Sequence, residues 1–235
     1  LPSVYTESEP GEYLDSYIKT YLEEEILQEG LTRNLGVFSR FLEAASFSQS
    51  TVLNVSEVSR DCSVERKVVE NYFAILEDLM LAYRIPVFTK RAKRRLVAHP
   101  KFYFFDTGVY RAIRPMGPLD LVEEVEGISF ETLFLQVLAA INDYLKAGYK
   151  IYYWRTSNNI EVDFVLYGPS GLKAFEVKRK GKISSKDLRG LNIFRNDYPE
   201  AKAYCIYGGE RELSSGDIRI IPIDYALRNI DKILE

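Results

Sequence analysis

Apolar positions recur at helical spacing in the first part of the chain and alternate in the last. In LDSYIKTYLEEEIL, residues 14–27, Leu14, Tyr17, Ile18, Tyr21, Leu22 and Ile26 fall three or four apart, which predicts an amphipathic helix. LGVFSRFLEAASF, residues 35–47, predicts a second. SEVSRDC, residues 56–62, reads as a short helix capped by Asn54 or Ser56. After a turn, Ser63 is placed to cap a longer helix carrying Val64, Val68, Tyr72, Ile75, Leu76 and Leu79. Two extended runs follow, AYRIPVFTKR and LVAHPKFYFFD. A helix pair joined by a tight turn and followed by an extended pair describes a winged helix-turn-helix.

From residue 106 the pattern changes. DTGVYRAIRPMGPLD is rich in turn residues and reads as a linker or short helix, with Asp106 as a candidate cap. GISFETLFLQVLAAINDYLKAG then carries the stripe Phe130, Phe134, Val137, Leu138 and Ile141 of a long helix. KIYYWRT, IEVDFVLYG and GLKAFEVKR predict three strands separated by turns. A helix (SSKDLRGLNIFRNDYP), a strand (AKAYCIYG), another strand (DIRIIPI) and a closing helix (DYALRNIDKIL) complete the chain. The expected architecture is α/β. A mostly helical winged-helix domain, residues 1–110, precedes a mixed sheet flanked by helices, residues 120–235.

Charge narrows the functions. The net charge of −3 removes a basic whole-chain signature, so nucleic-acid binding would rest on local patches. KRAKRR supplies one, with Lys90, Arg91, Lys93, Arg94 and Arg95 at the expected wing, where phosphate contact is the natural role. Residues 1–29 are acidic, and Glu65, Glu70, Glu77 and Asp78 on the candidate recognition helix argue against sequence-specific reading of DNA. Cys62 and Cys205 lack metal-ligand spacing and His99 is the single histidine, which disfavours zinc. Both thiols read as buried residues of a reducing, cytoplasmic compartment. No run is long enough to span a membrane and no phosphate-binding glycine loop is present.

The candidate chemistry centres on AFEVKRK, residues 174–180. Glu176 and Lys178 are two apart on a strand and share a face, opposite Phe175 and Val177. Asp163 alternates with Val162 and Phe164 on the preceding strand, and Glu131 lies near the start of the long helix. Carboxylates of this kind suit a hard cation such as Mg²⁺ or Mn²⁺, and a neighbouring lysine suits charge building on a phosphate. On residue types and spacing alone, Glu176 and Lys178 are by default a solvated pair on a strand. Trp154 reads as a core anchor and His99 as structural.

The order Glu131, YYWR, EVDFV, FEVK resembles the restriction-endonuclease-like superfamily, whose signature is written PD-(D/E)xK. The resemblance implies a helix-strand-strand-strand-helix-strand core. It makes Asp163 and Glu176 metal ligands, Lys178 the catalytic lysine and Glu131 the helix acid. Arg155, Arg179, Lys180, Lys182 and Lys186 would contact the substrate backbone. Val162 stands where the signature has proline. Over nearly the whole chain, LDSYIKTYLEEEI, HPKFYFFDTGV, YYWRTSNNIEVDFV and FEVKRK resemble the C-terminal region that follows an AAA+-type ATPase in many bacterial and archaeal proteins. That likeness implies a preceding ATPase module, consistent with a chain starting at Leu1, and ATP use only through it. The expected function is metal-dependent cleavage of nucleic acid, DNA foremost, with homo-oligomers possible. The alternative is an inactive nuclease-like module that binds nucleic acid or protein.

Overall fold

Asn54 and Asp106 show how local chemistry starts the helices of the first part. The Asn54 side chain accepts from Glu57 N, and Asp106 Oδ1 accepts from Val109 N at 3.0 Å. The computed structural model describes residues 2–22, 34–118 and 120–235. The later part of the first predicted helix, with Glu23, Glu24, Glu25 and Ile26, lies outside them, as does Glu29 of the acidic stretch. The described chain divides into two compact units, one formed by 1–84 with 101–125 and the other by 85–100 with 126–235.

The first unit holds α1 (Pro10–Ser16), α2 (Leu35–Ser46), β1 (Thr51–Val52), α3 (Val55–Asp61), α4 (Arg66–Asp78), β2 (Ala82–Ile85, whose last residue falls to the other unit), β3 (Lys101–Phe104) and α5 (Thr107–Ile113). Its three strands run in the order β1-β3-β2. Phe38, Phe41, Phe73 and Phe102 are fully buried, and Tyr72 nearly so. Phe73 meets Phe41 and Phe102 edge to face at 4.9 and 5.0 Å, a geometry that adds about 0.5–1.5 kcal/mol per pair to plain burial. Ser63 does not cap α4. It turns the chain with φ +56°, and the helix begins at Arg66.

The long helix α6 (Val122–Tyr144) leads into the second unit. There follow β4 (Lys150–Arg155), β5 (Glu161–Gly168), β6 (Gly171–Lys178), α7 (Arg189–Asp197), β7 (Lys202–Tyr207), β8 (Leu213–Ser215), β9 (Ile218–Pro222), α8 (Ile223–Arg228) and α9 (Ile230–Leu234). The sheet order is β4-β5-β6-β7-β9-β8. β4, β5 and β6 are antiparallel neighbours, whereas β6, β7 and β9 are parallel, so the fold is α/β with a mixed sheet. The expected closing helix is two short ones.

Leu191 and Phe194 of α7 cover one face of this sheet, over Val162, Val165, Ala174 and Cys205. Phe134 of α6 covers the other, meeting Phe164 and Phe175. Trp154 is buried in the α7 layer, 5.4 Å from Phe194. Among the described residues no helix is long and apolar enough to cross a membrane.

The basic run is not the tip of a wing on the helical unit. Residues 85–100 belong to the second unit and line the free edge of β4. Val87 bridges Tyr153 and Leu96 bridges Thr156, while Phe88 N donates to Tyr153 O at 2.7 Å. The physical reason is Phe88, which is 1% exposed and sits in the α7 layer, 5.3 Å from Tyr198. His99 contributes its carbonyl, which accepts from the Tyr153 hydroxyl at 2.5 Å.

Candidate active site

The site begins with a bulge. Tyr152 pairs with Val165 and Trp154 with Val162, two steps along β4 for three along β5. The extra residue puts Val162 and Val165 into the same core layer and breaks the strict alternation expected around Asp163. The regular β5–β6 pairing is registered from Phe164 opposite Phe175 to Gly168 opposite Gly171. Beyond Phe164, the Asp163 side chain replaces a backbone partner, its Oδ2 accepting from Val177 N at 2.8 Å. A 6%-exposed carboxylate is thereby fixed against β6.

Glu176 stands opposite Cys205 of β7 and is equally buried. Lys178, two residues on, turns back over the same face. Its Nζ lies 2.5 Å from Glu176 Oε1 and 3.8 Å from Asp163 Oδ2. Burial works against the lysine's charge, but the carboxylates of Asp163, Glu176 and Glu131 outweigh it and hold the ammonium protonated well above the ordinary lysine range. The Cys205 thiol is pushed up to about 12, first by burial and then by Glu176. It stays neutral, which removes it as a thiolate nucleophile or ligand.

Two glycines make the packing possible. A Cβ on Gly190 of α7 would lie 2.0 Å from Glu161 O and 3.5 Å from Glu176 Oε2. A Cβ on Gly208, just past β7, would lie 1.9 Å from Arg179 O. Gly208 N donates to the carbonyls of Lys178 and Lys180, at 3.1 and 3.2 Å, which fastens the end of β6. Sequence reasoning missed both; the signal available was a glycine next to the strand end in YGG and another inside the helix run RGL.

Asp163, Glu176 and Lys178 come together, with Lys178 Nζ facing both carboxylates. Glu131, half-buried on α6, acts on Lys178 through charge. Among the described residues no group of three or more His, Cys, Asp or Glu is arranged to hold a metal ion. The donor set that does converge is the carboxylate pair Asp163 and Glu176, whose oxygens already share one cation, the Lys178 ammonium. Hard oxygen donors around a cationic point suit Mg²⁺ or Mn²⁺, which bind through one or two carboxylates and keep several waters.

The basic residues fall into two groups. Arg179 pairs with Glu126 at 2.5 Å, Lys180 with Asp187 at 2.6 Å, Arg155 with Glu161 at 3.1 Å and Arg94 with Asp197 at 2.6 Å. Lys90 lies 4.4 Å over the Tyr167 ring. Arg91, Lys93, Arg95, Lys182 and Lys186 are exposed.

Residues 2–120, half of the chain, match the family described as a domain of unknown function, DUF8612. The chain belongs to this family. Beyond the DUF8612 region, residues 126–226 match a second domain of unknown function, DUF4143, which contains Asp163, Glu176 and Lys178. Uncharacterized proteins Rv2008c of Mycobacterium tuberculosis and Mb2031c of Mycobacterium bovis are each 25% identical over 243 residues, covering 100% of this chain and 54% of their own. This DUF8612 chain thus spans about half the length of those relatives. A crystal structure of protein VC1899 from Vibrio cholerae aligns with a TM-score of 0.35 at 16% identity, over 94% of this chain and 55% of that one. At that score the likeness is too loose to carry the fold.

Proposed function

We propose that the second unit is a restriction-endonuclease-like phosphodiesterase that cleaves DNA with Mg²⁺ or Mn²⁺. The observation that carries this reading is the convergence of Asp163, Glu176 and Lys178 at one end of a mixed sheet, with Lys178 Nζ 2.5 and 3.8 Å from the two carboxylates. Asp163 and Glu176 would hold the cation, and Glu131 adds negative potential. A bound divalent ion supplies Lewis acidity towards a phosphoryl oxygen.

The chain's own residues do the rest. Val177 N fixes the Asp163 carboxylate, so its oxygens need no reorganisation. Gly190 lets α7 approach the Glu176 side closely. Lys178, whose protonated form the carboxylates favour, donates to a phosphate oxygen and stabilises the charge that builds during attack. The exposed Lys182 and Lys186 follow Lys178 in the chain, and Arg91, Lys93 and Arg95 add a second basic strip on the same unit for backbone contact. A winged-helix reading of the first unit draws on the α3–α4 pair and the β1-β3-β2 sheet, without the basic run. The resemblance to regions that follow an AAA+-type ATPase supports placing an ATPase module elsewhere in the complete protein, and the greater length of the relatives leaves room for one.

The test is cleavage of duplex, nicked, branched and single-stranded DNA and of RNA, with Mg²⁺ or Mn²⁺, by wild type and Lys178→Ala. Circular dichroism checks that both fold. Cleavage by wild type and none by Lys178→Ala is expected. A folded wild type that cuts nothing, also when joined to its ATPase module, leaves the reading of a non-catalytic binding module.

A further inference from the structure

Lys178 occupies the one place where the two site carboxylates converge. The pair Asp163 and Glu176 is 6–7% exposed, so few waters reach it. Glu176 Oε1 lies 2.5 Å from the ammonium and Asp163 Oδ2 lies 3.8 Å from it. Two buried carboxylates side by side repel each other unless a cation lies between them. Lys178 is that cation in this chain, with 32% of its side chain exposed and a flexible four-carbon stem. Its neighbours Arg179 and Lys180 are engaged elsewhere, with Glu126 and Asp187, so neither can take over its place.

We propose that Lys178 is an internal counter-ion that a divalent metal must displace, and that a nucleic-acid phosphate assists the exchange by giving the ammonium a new anionic partner. The proposal rests on the metal-dependent reading above and adds a regulation to it. Metal and substrate then favour each other's binding, because each stabilises the arrangement in which Lys178 has left the carboxylates. Metal loads poorly on the free protein and well on the complex. The site is thereby kept from charging, and from cutting, before a phosphate backbone is in place. The arrangement fits a nuclease domain in a longer protein, where engagement of nucleic acid elsewhere precedes cleavage.

The experiment is calorimetric titration of Mn²⁺ into wild type, Lys178→Gln, Lys178→Arg, Lys180→Gln and Glu176→Gln without nucleic acid. Folding is checked for each variant by circular dichroism. Lys178→Gln is expected to bind Mn²⁺ at least about tenfold more tightly than wild type, the factor set by losing one charge-assisted competitor. Lys180→Gln removes a nearby charge without vacating the carboxylates and is expected to stay within about twofold of wild type, which separates displacement from general electrostatics. Lys178→Arg keeps a cation there, whose fork grips carboxylates through two parallel bonds, and is expected to bind Mn²⁺ no more tightly than wild type. Should Lys178→Gln not fold, tighter binding by Lys178→Arg overturns the proposal on its own. Equal or weaker binding by a folded Lys178→Gln, with wild-type binding lost in Glu176→Gln, overturns the displacement and leaves the metal site standing. No Mn²⁺ binding by any folded variant overturns both.

Discussion

Arg94 Nε donates to Asp197 Oδ2 at 2.6 Å, joining positions 103 apart in the chain. The aspartate side chain is 6% exposed and the arginine 45%. Arg94→Ala leaves a buried carboxylate without its cation and is expected to cost about 1–3 kcal/mol in urea denaturation. Adding Asp197→Asn recovers part of that loss. If the single variant loses nothing, the pair is ornamental, and Phe88 with the Val87 and Leu96 bridges anchors the basic run.

Lys173 on β6 is fully buried, and among the described residues its amine has no hydrogen-bond partner, lying 5.4 Å over the Tyr149 ring. Lys173→Met keeps the volume and removes the unpaired amine. It is expected to stabilise the protein by about 1–3 kcal/mol at pH 7, measured as a raised denaturation midpoint. Burial lowers the amine's pKa, so folding disfavours the charged form. Wild-type stability therefore rises with pH from the depressed folded value up to the ordinary lysine value of about 10.4, and the variant's advantage shrinks over that window.

Asp187 behaves in the opposite sense. Burial is the largest single influence and raises its pKa, but hydrogen bonds from Lys180 and from the hydroxyl and backbone of Ser184 together outweigh it and hold the carboxyl down at about 2. Its contribution is fully present above the ordinary carboxylate range near 4 and is lost as pH falls through about 2. With solvent screening the contribution is about 1 kcal/mol. Asp187→Asn should lower the denaturation midpoint at pH 7 and flatten the acid limb of the stability profile. A wild-type acid limb reproduced by the variant would sink this assignment.

Gly190→Ala places a methyl 2.0 Å from Glu161 O. The obstacle is backbone, so α7 must shift off β5, at an expected cost of about 1–3 kcal/mol or more. The same methyl meets Glu176 Oε2 at 3.5 Å, an ordinary contact, so Mn²⁺ affinity should fall only as far as the shift of α7 disturbs the packing beside Glu176. Stability and affinity unchanged would show that α7 yields freely.

Alternation was enough to read β4, β5 and β6 and to set Glu176 and Lys178 on one face, because a strand's period of two survives in the residue order. It was not enough for Asp163. Its placement depends on a register shift against β4, and a bulge is a property of two strands, not one. The same limit explains the basic run. Lys90 to Arg95 look like a hairpin tip because β2 and β3 flank them. Phe88 decides otherwise, through partners in α7 that no local window contains. Ser63 had the chemistry of a cap but was spent on a left-handed turn, leaving Glu65 at the helix start without a side-chain bond. β8 went unread because LSS carries no apolar alternation.

Residues 85–100 leave the ribosome well before β4, whose edge they line. During synthesis Phe88 therefore emerges with no core to enter, and the helical unit must hold β2 while its continuation waits. Closure of the second unit needs α7, so its folding is governed by distant contacts and is expected to be slow and late. A nascent chain paused ahead of α7 leaves Phe88 uncovered beside five cations until the last layer of its core arrives.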